Sequence, residues 1–160
     1  MAPARVAALV LSMVAAGCAF RRGDPLPDDP PRDFALTIVV RDAVACPWDG
    51  RVEFRPTGEV DYDITFKDPV SDRRGRESLP EEVRNRVWAA VVGAGFFDRV
   101  PVPAGAAAGP VVVEGRALGM DGRWSGDPAA DESLAGLLEA LRAASPPRVF
   151  RPLPRAEPPR

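Results

Sequence analysis

The stretch SLPEEVRNRVWAAVVGAGFFDRV, residues 78–100, decides the fold that this sequence predicts. Ser78 and Glu81 have the spacing of a capping box, which predicts that a helix begins after Ser78. The apolar residues that follow recur at helical spacing and form one stripe: Val83, Val87, Trp88, Val91 and Val92. A Gly-Ala-Gly segment ends the helix, and Phe96 and Phe97 follow it. So many large apolar side chains on one face indicate that the helix packs against a sheet.

Alternating apolar residues predict strands before this helix. Residues 33–41 alternate and place one set of apolar side chains on a single face: Phe34, Leu36, Ile38 and Val40. Residues 51–55 and 59–67 alternate on either side of a turn at Thr57-Gly58, which predicts a β-hairpin with one apolar and one charged face. Residues 68–77, DPVSDRRGRE, are polar and rich in turn formers, so they predict a loop.

The sequence after the helix predicts a second hairpin and a closing helix. Residues 110–118 and 123–125 are strand-like, and Gly119 to Gly122 between them predicts a turn. Four leucines at helical spacing then predict the last helix: Leu134, Leu137, Leu138 and Leu141. We therefore expect an α+β domain over residues 33–144, with an antiparallel sheet of four to five strands and two helices packed on one face.

Charge and composition narrow the functions that this domain can have. Residues 33–144 carry 13 Lys and Arg against 19 Asp and Glu, a net charge of −6, which argues against nucleic acid as a partner. The sequence has no histidine, so Ser-His-Asp and Cys-His catalysis and histidine-containing zinc sites are excluded. No carboxylate spacing or glycine-rich loop points to an active site or a cofactor. We expect a protein that is not an enzyme.

One run of carboxylates does share a strand face. Glu59, Asp61 and Asp63 alternate along the predicted second hairpin, as calcium ligands would. A strand, however, holds such side chains about 6–7 Å apart, too far for one ion to gather them. We therefore predict a solvated face of cross-strand ion pairs and no metal site.

The N-terminus carries the most specific motif. Arg5 precedes an uninterrupted apolar run over residues 6–16, which is shorter than the about 20 residues that cross a bilayer and is typical of a signal peptide. Residues 15–18, Ala-Ala-Gly-Cys, resemble the lipobox of bacterial lipoproteins. The resemblance implies that residues 1–17 are removed and that Cys18 carries the lipid anchor. Ala19, where aspartate would retain the protein at the inner membrane, implies the outer membrane, facing the periplasm. The alternative is an ordinary signal peptide with a chance cysteine.

Two proline-rich segments flank the predicted domain. Residues 18–32 contain four prolines and predict an extended tether. Residues 145–160 contain six prolines and four arginines against one glutamate, and they predict an extended or disordered tail with a net charge of +3. The alternative is that its apolar residues attach it to the domain or to a partner: Val149, Phe150 and Leu153. Three of these arginines are candidates for partner contacts: Arg148, Arg151 and Arg155.

Two tryptophans and a cysteine in or near predicted loops are further candidates. Trp48 lies next to the loop cysteine Cys46 and is a candidate partner-binding residue. Trp124 is either a core residue or an exposed aromatic residue at a sheet edge that a partner contacts. Cys46 is either a small buried residue or a reactive thiol, and it would form a disulfide with Cys18 only if lipidation fails.

The order of the predicted elements resembles small exported bacterial domains of unknown function. The features that carry the resemblance are the turn at Thr57-Gly58, the Phe96-Phe97 pair, the Asp121-Gly122 pair and the leucine helix 134–141. The same order is similar to that of the emfourin family, small proteinaceous inhibitors of bacterial metalloproteases. We expect a membrane-anchored lipoprotein of the cell envelope that binds another envelope protein without catalysing a reaction. The alternative that the resemblance implies is inhibition of an extracytoplasmic metalloprotease.

Overall fold

The computed structural model describes residues 23–99 and 108–150. Within these ranges the chain forms six strands: β1 (Ala35–Val40), β2 (Trp48–Phe54), β3 (Glu59–Lys67), β4 (Val70–Ser78), β5 (Val111–Ala117) and β6 (Met120–Gly126). It also forms three α-helices and one turn of 3-10 helix: α1 (Glu81–Gly93), the 3-10 turn (Phe96–Asp98), α2 (Glu132–Ala144) and α3 (Pro147–Phe150).

All six strands belong to one antiparallel sheet with the order β4-β3-β2-β1-β5-β6. The predicted α+β class is therefore confirmed. The expectation of four to five strands and two helices was too low, because β4 and the short helix α3 lie in segments without apolar periodicity. The inner face of the sheet and the buried faces of the helices share one hydrophobic core.

Strand β4 corrects the prediction of a loop over residues 68–77. It pairs with β3 over its full length, from Lys67 opposite Val70 to Glu59 opposite Ser78. Two of its arginines on the outer face pair with carboxylates of β3: Arg74 with Asp63, and Arg76 with Asp61. Because β4 is an edge strand that the helices do not cover, its sequence has no apolar alternation to reveal it.

Helix α1 begins later than the capping-box pattern predicts. Ser78 is the last residue of β4, and the N-cap is Pro80, with φ of −53° and ψ of 147° and no side-chain cap. The carbonyl of Pro80 accepts hydrogen bonds from the amides of Val83 and Arg84, both at 3.0 Å. Pairing with β3 therefore takes Ser78 out of the helix. The predicted stripe is correct in its centre, where Val87, Trp88 and Val91 are buried.

The second hairpin turns at Leu118 and Gly119, so its turn ends three residues before the predicted end at Gly122. Both residues have positive φ, 55° and 73°, as a two-residue type I′ turn requires. The carboxylate of Asp33 accepts hydrogen bonds from the amides of Leu118 (2.9 Å) and Gly119 (2.8 Å). A side chain distant in sequence thus stabilises the turn, and Asp121 and Gly122 belong to β6.

An aromatic cluster joins α1 to the sheet. The rings of Phe34 and Trp88 lie 5.0 Å apart, Trp88 and Phe97 6.1 Å apart, and Phe97 and Phe96 5.0 Å apart. Trp88 is fully buried, in agreement with its predicted place in the core. The Phe-Phe pair therefore seals the end of the core where the chain leaves α1.

Both flanking segments contact the domain where the structure describes them. The carbonyl of Pro27 accepts a hydrogen bond from the indole N–H of Trp88 at 2.8 Å, and that of Pro31 accepts one from Arg84 at 3.2 Å. At the other end, α3 buries Val149 and Phe150. The last residues of the predicted tether and the first residues of the predicted tail therefore lie against the domain. The prediction of an extended tail is wrong for residues 147–150, which form α3.

Candidate functional site

A pocket opens between the loop that joins β1 to β2 and the two C-terminal helices. The loop contributes Cys46 and Pro47, β2 contributes Trp48, α2 contributes Leu138 and Arg142, and α3 contributes Phe150. Its volume is about 370 Å³, and it reaches Ile38 on the inner face of β1. A concave, mainly apolar space of this size falls within the range of small-ligand and anchor-residue pockets.

The pocket floor is apolar and rigidly packed. Trp48 and Phe150 lie with their ring centroids 5.5 Å apart, and each is 5% exposed. Cys46 beside them is also buried. Burial raises the pKa of the Cys46 thiol, and the carboxylates of Asp49 and Asp127 raise it further against the opposing charge of Lys67. The thiol is therefore neutral and behaves as a small apolar group in the wall.

Among the described residues that line the pocket, the charged side chains are Glu139 and Arg142, on α2. Arg142 donates from Nε and Nη2 to the two carboxylate oxygens of Glu139, at 2.8 Å and 2.6 Å. The hydrogen bonds to Glu139 raise the pKa of Arg142, and those from Arg142 lower the pKa of Glu139. Near the loop side of the pocket, Val44 is 95% exposed, an unusual position for a large apolar side chain.

The outer face of the sheet carries a ladder of ion pairs. Asp61 lies between Arg55 and Arg76 and accepts hydrogen bonds from both. The hydrogen bond from Arg76 is the main reason why the pKa of Asp61 is lowered. Asp63 pairs with Arg74. These carboxylates are thus neutralised by arginines, as the predicted cross-paired face requires.

Residues 23–99 and 108–150 contain no group of three or more His, Cys, Asp or Glu side chains arranged to hold a metal ion. The same ranges contain no helix that is both long and apolar enough to cross a membrane. The expectations of no metal and no cofactor stay predictions, because they concern the whole chain.

The structure describes three of the residues that the sequence singled out for partner contacts. Trp48 lies in the floor of the pocket, and Trp124 is 6% exposed in the core. Arg148 lies exposed on α3, two residues before Phe150. The structure thus brings Trp48 and the helix of Arg148 to one side of the domain. Cys18, Arg151 and Arg155 lie outside the described residues.

Of the two alternatives for Trp124, the structure favours the core residue. Its indole N–H donates to the carboxylate of Asp131 at 3.1 Å, and Asp131 also caps α2 through the amides of Ser133 and Leu134. The guanidinium of Arg99 lies 3.6 Å from the ring centroid, in a cation–π contact. Trp124 thus ties β6 to the start of α2.

Sequence reasoning missed the pocket residues on α2 and α3. Leu138 was assigned to the buried stripe, but it is only half-buried and forms part of the pocket wall. Phe150 lies in the segment for which the sequence predicts a tail. Its apolar side chain indicates that the tail can contact the domain, but it does not show which element the tail meets.

Comparisons with known proteins do not indicate a function, so the functional argument depends on the fold and the pocket. No protein-family model matches the sequence. No curated protein matches it either.

Proposed function

We propose that the chain is a lipid-anchored protein of the cell envelope whose α+β domain binds a partner protein and catalyses no reaction. The anchor rests on the Ala-Ala-Gly-Cys motif at residues 15–18 and the apolar run before it. A lipid on Cys18 would hold the domain at the outer membrane, facing the periplasm, and acyl chains supply the anchoring energy.

The observation that carries the binding role is the pocket of Cys46, Trp48, Leu138 and Phe150 beside the exposed Val44. A preformed apolar cavity gives a partner a place to bury one large side chain, and such anchors supply much of the binding energy in protein interfaces. The exposed loop beside it supplies further apolar contact area. Arg148 is exposed on α3, two residues before the pocket residue Phe150, and supplies a positive charge.

Site-specific photo-crosslinking in intact cells tests the binding role. A photoreactive residue replaces Val44 in one variant and Val70, 79% exposed at the start of β4, in the matched control. We expect one dominant crosslinked protein from position 44 and none from position 70, and loss of the crosslink when Leu138 is changed to Glu. The same product at both positions, or none at position 44, contradicts the proposal.

Membrane fractionation tests the anchor and its location. Wild-type protein is expected in the outer-membrane fraction, and the Cys18→Ser variant in the soluble fraction. Equal partition of the two proteins would show that Cys18 is not lipidated.

The second candidate is inhibition of an extracytoplasmic metalloprotease, supported by the emfourin-like order of elements. Adding the purified protein to a thermolysin-type protease tests it. Dose-dependent, saturable inhibition that the Leu138→Glu variant lacks would identify the partner as a protease. No inhibition at a large molar excess would remove this candidate.

A further inference from the structure

We propose that the pocket between the β1–β2 loop, α2 and α3 binds a single-chain aliphatic carboxylate, with the chain against Trp48 and Phe150 and the carboxylate on Arg142. The inference rests on the proposed function only in that the pocket is a binding site, and it requires no protein partner. It assigns a ligand class to a site for which the sequence offered no ligand.

The pocket fits a slender chain because it is bounded by apolar side chains of three elements. Leu138 on α2 is half-buried, and Trp48 on β2 and Phe150 on α3 are each 5% exposed. The pocket volume of about 370 Å³ compares with cavities of roughly 150 Å³ that bind benzene. The site therefore has room for an aliphatic chain longer than a single amino-acid side chain.

The pocket walls are mainly apolar, although Trp48 also carries an indole N–H donor. Trp48 and Phe150 present rings, and Ala45 and Ala135 present methyl groups. Cys46 contributes a buried sulfur, which packs as an apolar atom. A polar chain would lose its hydrogen bonds to water here without replacement, whereas a hydrocarbon loses none.

The rim supplies a site for one anionic head. Of the five N–H donors of the Arg142 guanidinium, Glu139 engages those on Nε and Nη2. Donors on the other side of the fork can therefore meet a second carboxylate. Glu139 is 63% exposed and Arg142 48% exposed, so Glu139 can also give way to a ligand carboxylate at little cost. A planar guanidinium binds a carboxylate with two parallel hydrogen bonds, which favours this head over an alcohol.

Calorimetric titration of the purified protein with octanoate, decanoate and dodecanoate, each kept below its micelle concentration, tests the proposal. We expect saturable binding of one molecule per chain, with affinity rising about fifteenfold for each two-carbon step until the pocket is full. Decanol and decyltrimethylammonium are the head-group controls, and both are expected to bind more weakly than decanoate.

Three variants separate the chain site from the head site. Ala135→Phe, which fills the pocket, is expected to abolish binding, and Arg142→Gln to remove the preference for decanoate over decanol while keeping the chain-length dependence. Arg116→Gln, which removes an exposed ion pair on the outer face of the sheet, is the matched control and should bind as wild type. Circular dichroism confirms that each variant is folded, and Leu138→Gln replaces Ala135→Phe if the latter is not.

Two results would overturn the proposal: affinity that does not depend on chain length, or decanoate binding that survives a filled pocket. Tighter binding of decyltrimethylammonium would overturn the assignment of the head to Arg142. These outcomes are independent of the crosslinking test. Decanoate binding with no crosslink at position 44 would contradict the protein-binding role alone, and a crosslink without decanoate binding would contradict the ligand class alone.

Discussion

The ring of Phe96 lies directly against Gly122 on β6, where an added Cβ atom would be 2.7 Å from Cε1 of the ring. Gly115 is the partner of Gly122 across the β5–β6 ladder, and a Cβ atom added there would lie 2.8 Å from the same ring atom. The two glycines thus form a slot in the sheet that holds the first ring of the Phe-Phe pair. The slot explains why glycines occupy the interior of two strands, where they otherwise weaken a sheet.

Gly122→Ala is therefore expected to lower the free energy of unfolding by about 1–3 kcal/mol, because the new methyl group displaces the Phe96 ring. Gly136→Ala is the matched control. Gly136 lies in α2 with no atom within 4 Å of an added Cβ, so this change should stabilise by about 0.5–1 kcal/mol through helix propensity. Urea unfolding measures both. Equal changes in the free energy of unfolding for the two substitutions would show that the Phe96 ring does not require glycine at position 122.

Asp33 links stability to pH through the hairpin turn that it caps. Burial alone would raise its pKa, but the amides of Gly119 and Leu118 outweigh burial and lower it. The pKa of Asp33 is thus lower in the folded protein than in the unfolded chain. The ionised carboxylate therefore stabilises the folded state above about pH 4, and this stabilisation is lost as the pH falls through the pKa of the folded state.

We expect Asp33→Asn to lower the free energy of unfolding by about 1 kcal/mol at neutral pH, since one amide loses a charged acceptor. The difference between wild type and variant should shrink towards zero near pH 2. Urea unfolding at the two pH values provides the measurement. A difference that is as large in acid as at neutral pH would show that the ionised form is not what stabilises the turn.

Cys46 is expected to react slowly with iodoacetamide in the folded protein, because burial raises its pKa and shields the sulfur. In the Cys18→Ser variant it is the remaining one of the two cysteines. Alkylation at pH 8 should be slower in buffer than in concentrated urea by roughly an order of magnitude or more. Equal alkylation rates in buffer and in urea would instead support the alternative that Cys46 is a reactive thiol.

The Trp88→Phe variant tests whether the indole hydrogen bond of Trp88 holds residues 27–31 against α1. The substitution removes the hydrogen bond to the Pro27 carbonyl, and cleavage by trypsin after the exposed Arg32 should become several-fold faster. Trp124→Phe, which removes the indole hydrogen bond to Asp131, is the matched control and should leave this cleavage unchanged. Mass spectrometry of samples taken during the digestion measures the rate of cleavage after Arg32. Faster cleavage in both variants would reflect general destabilisation.

The sequence predicted those elements whose side chains repeat with the period of their backbone. Strand β3, with four apolar residues on one face, was placed correctly over residues 59–67. Helix α2, with its unmixed leucine stripe, was also placed correctly. Strand β4 could not be found in this way, because backbone pairing with β3 positions it and its exposed side chains show no apolar alternation.

The candidate site was predictable only in part. The sequence predicts a loop at Cys46 and marks Trp48 beside it as a candidate partner contact, and the structure places Trp48 at the start of β2. Nothing local in the sequence indicates that Phe150 turns back on Trp48 or that Leu138 faces a cavity. Both facts depend on contacts between residues about 90–100 positions apart, which no periodicity encodes.

By itself, the sequence determined the α+β class and the buried faces of most strands and helices, because both are encoded in local order and composition. Only the tertiary structure decided the six-strand order, the turn at Leu118 that Asp33 holds, and the pocket between Trp48, Leu138 and Phe150. The physical reason is that edge pairing, turn capping by a distant side chain and imperfect packing between elements arise from contacts that form when the chain folds.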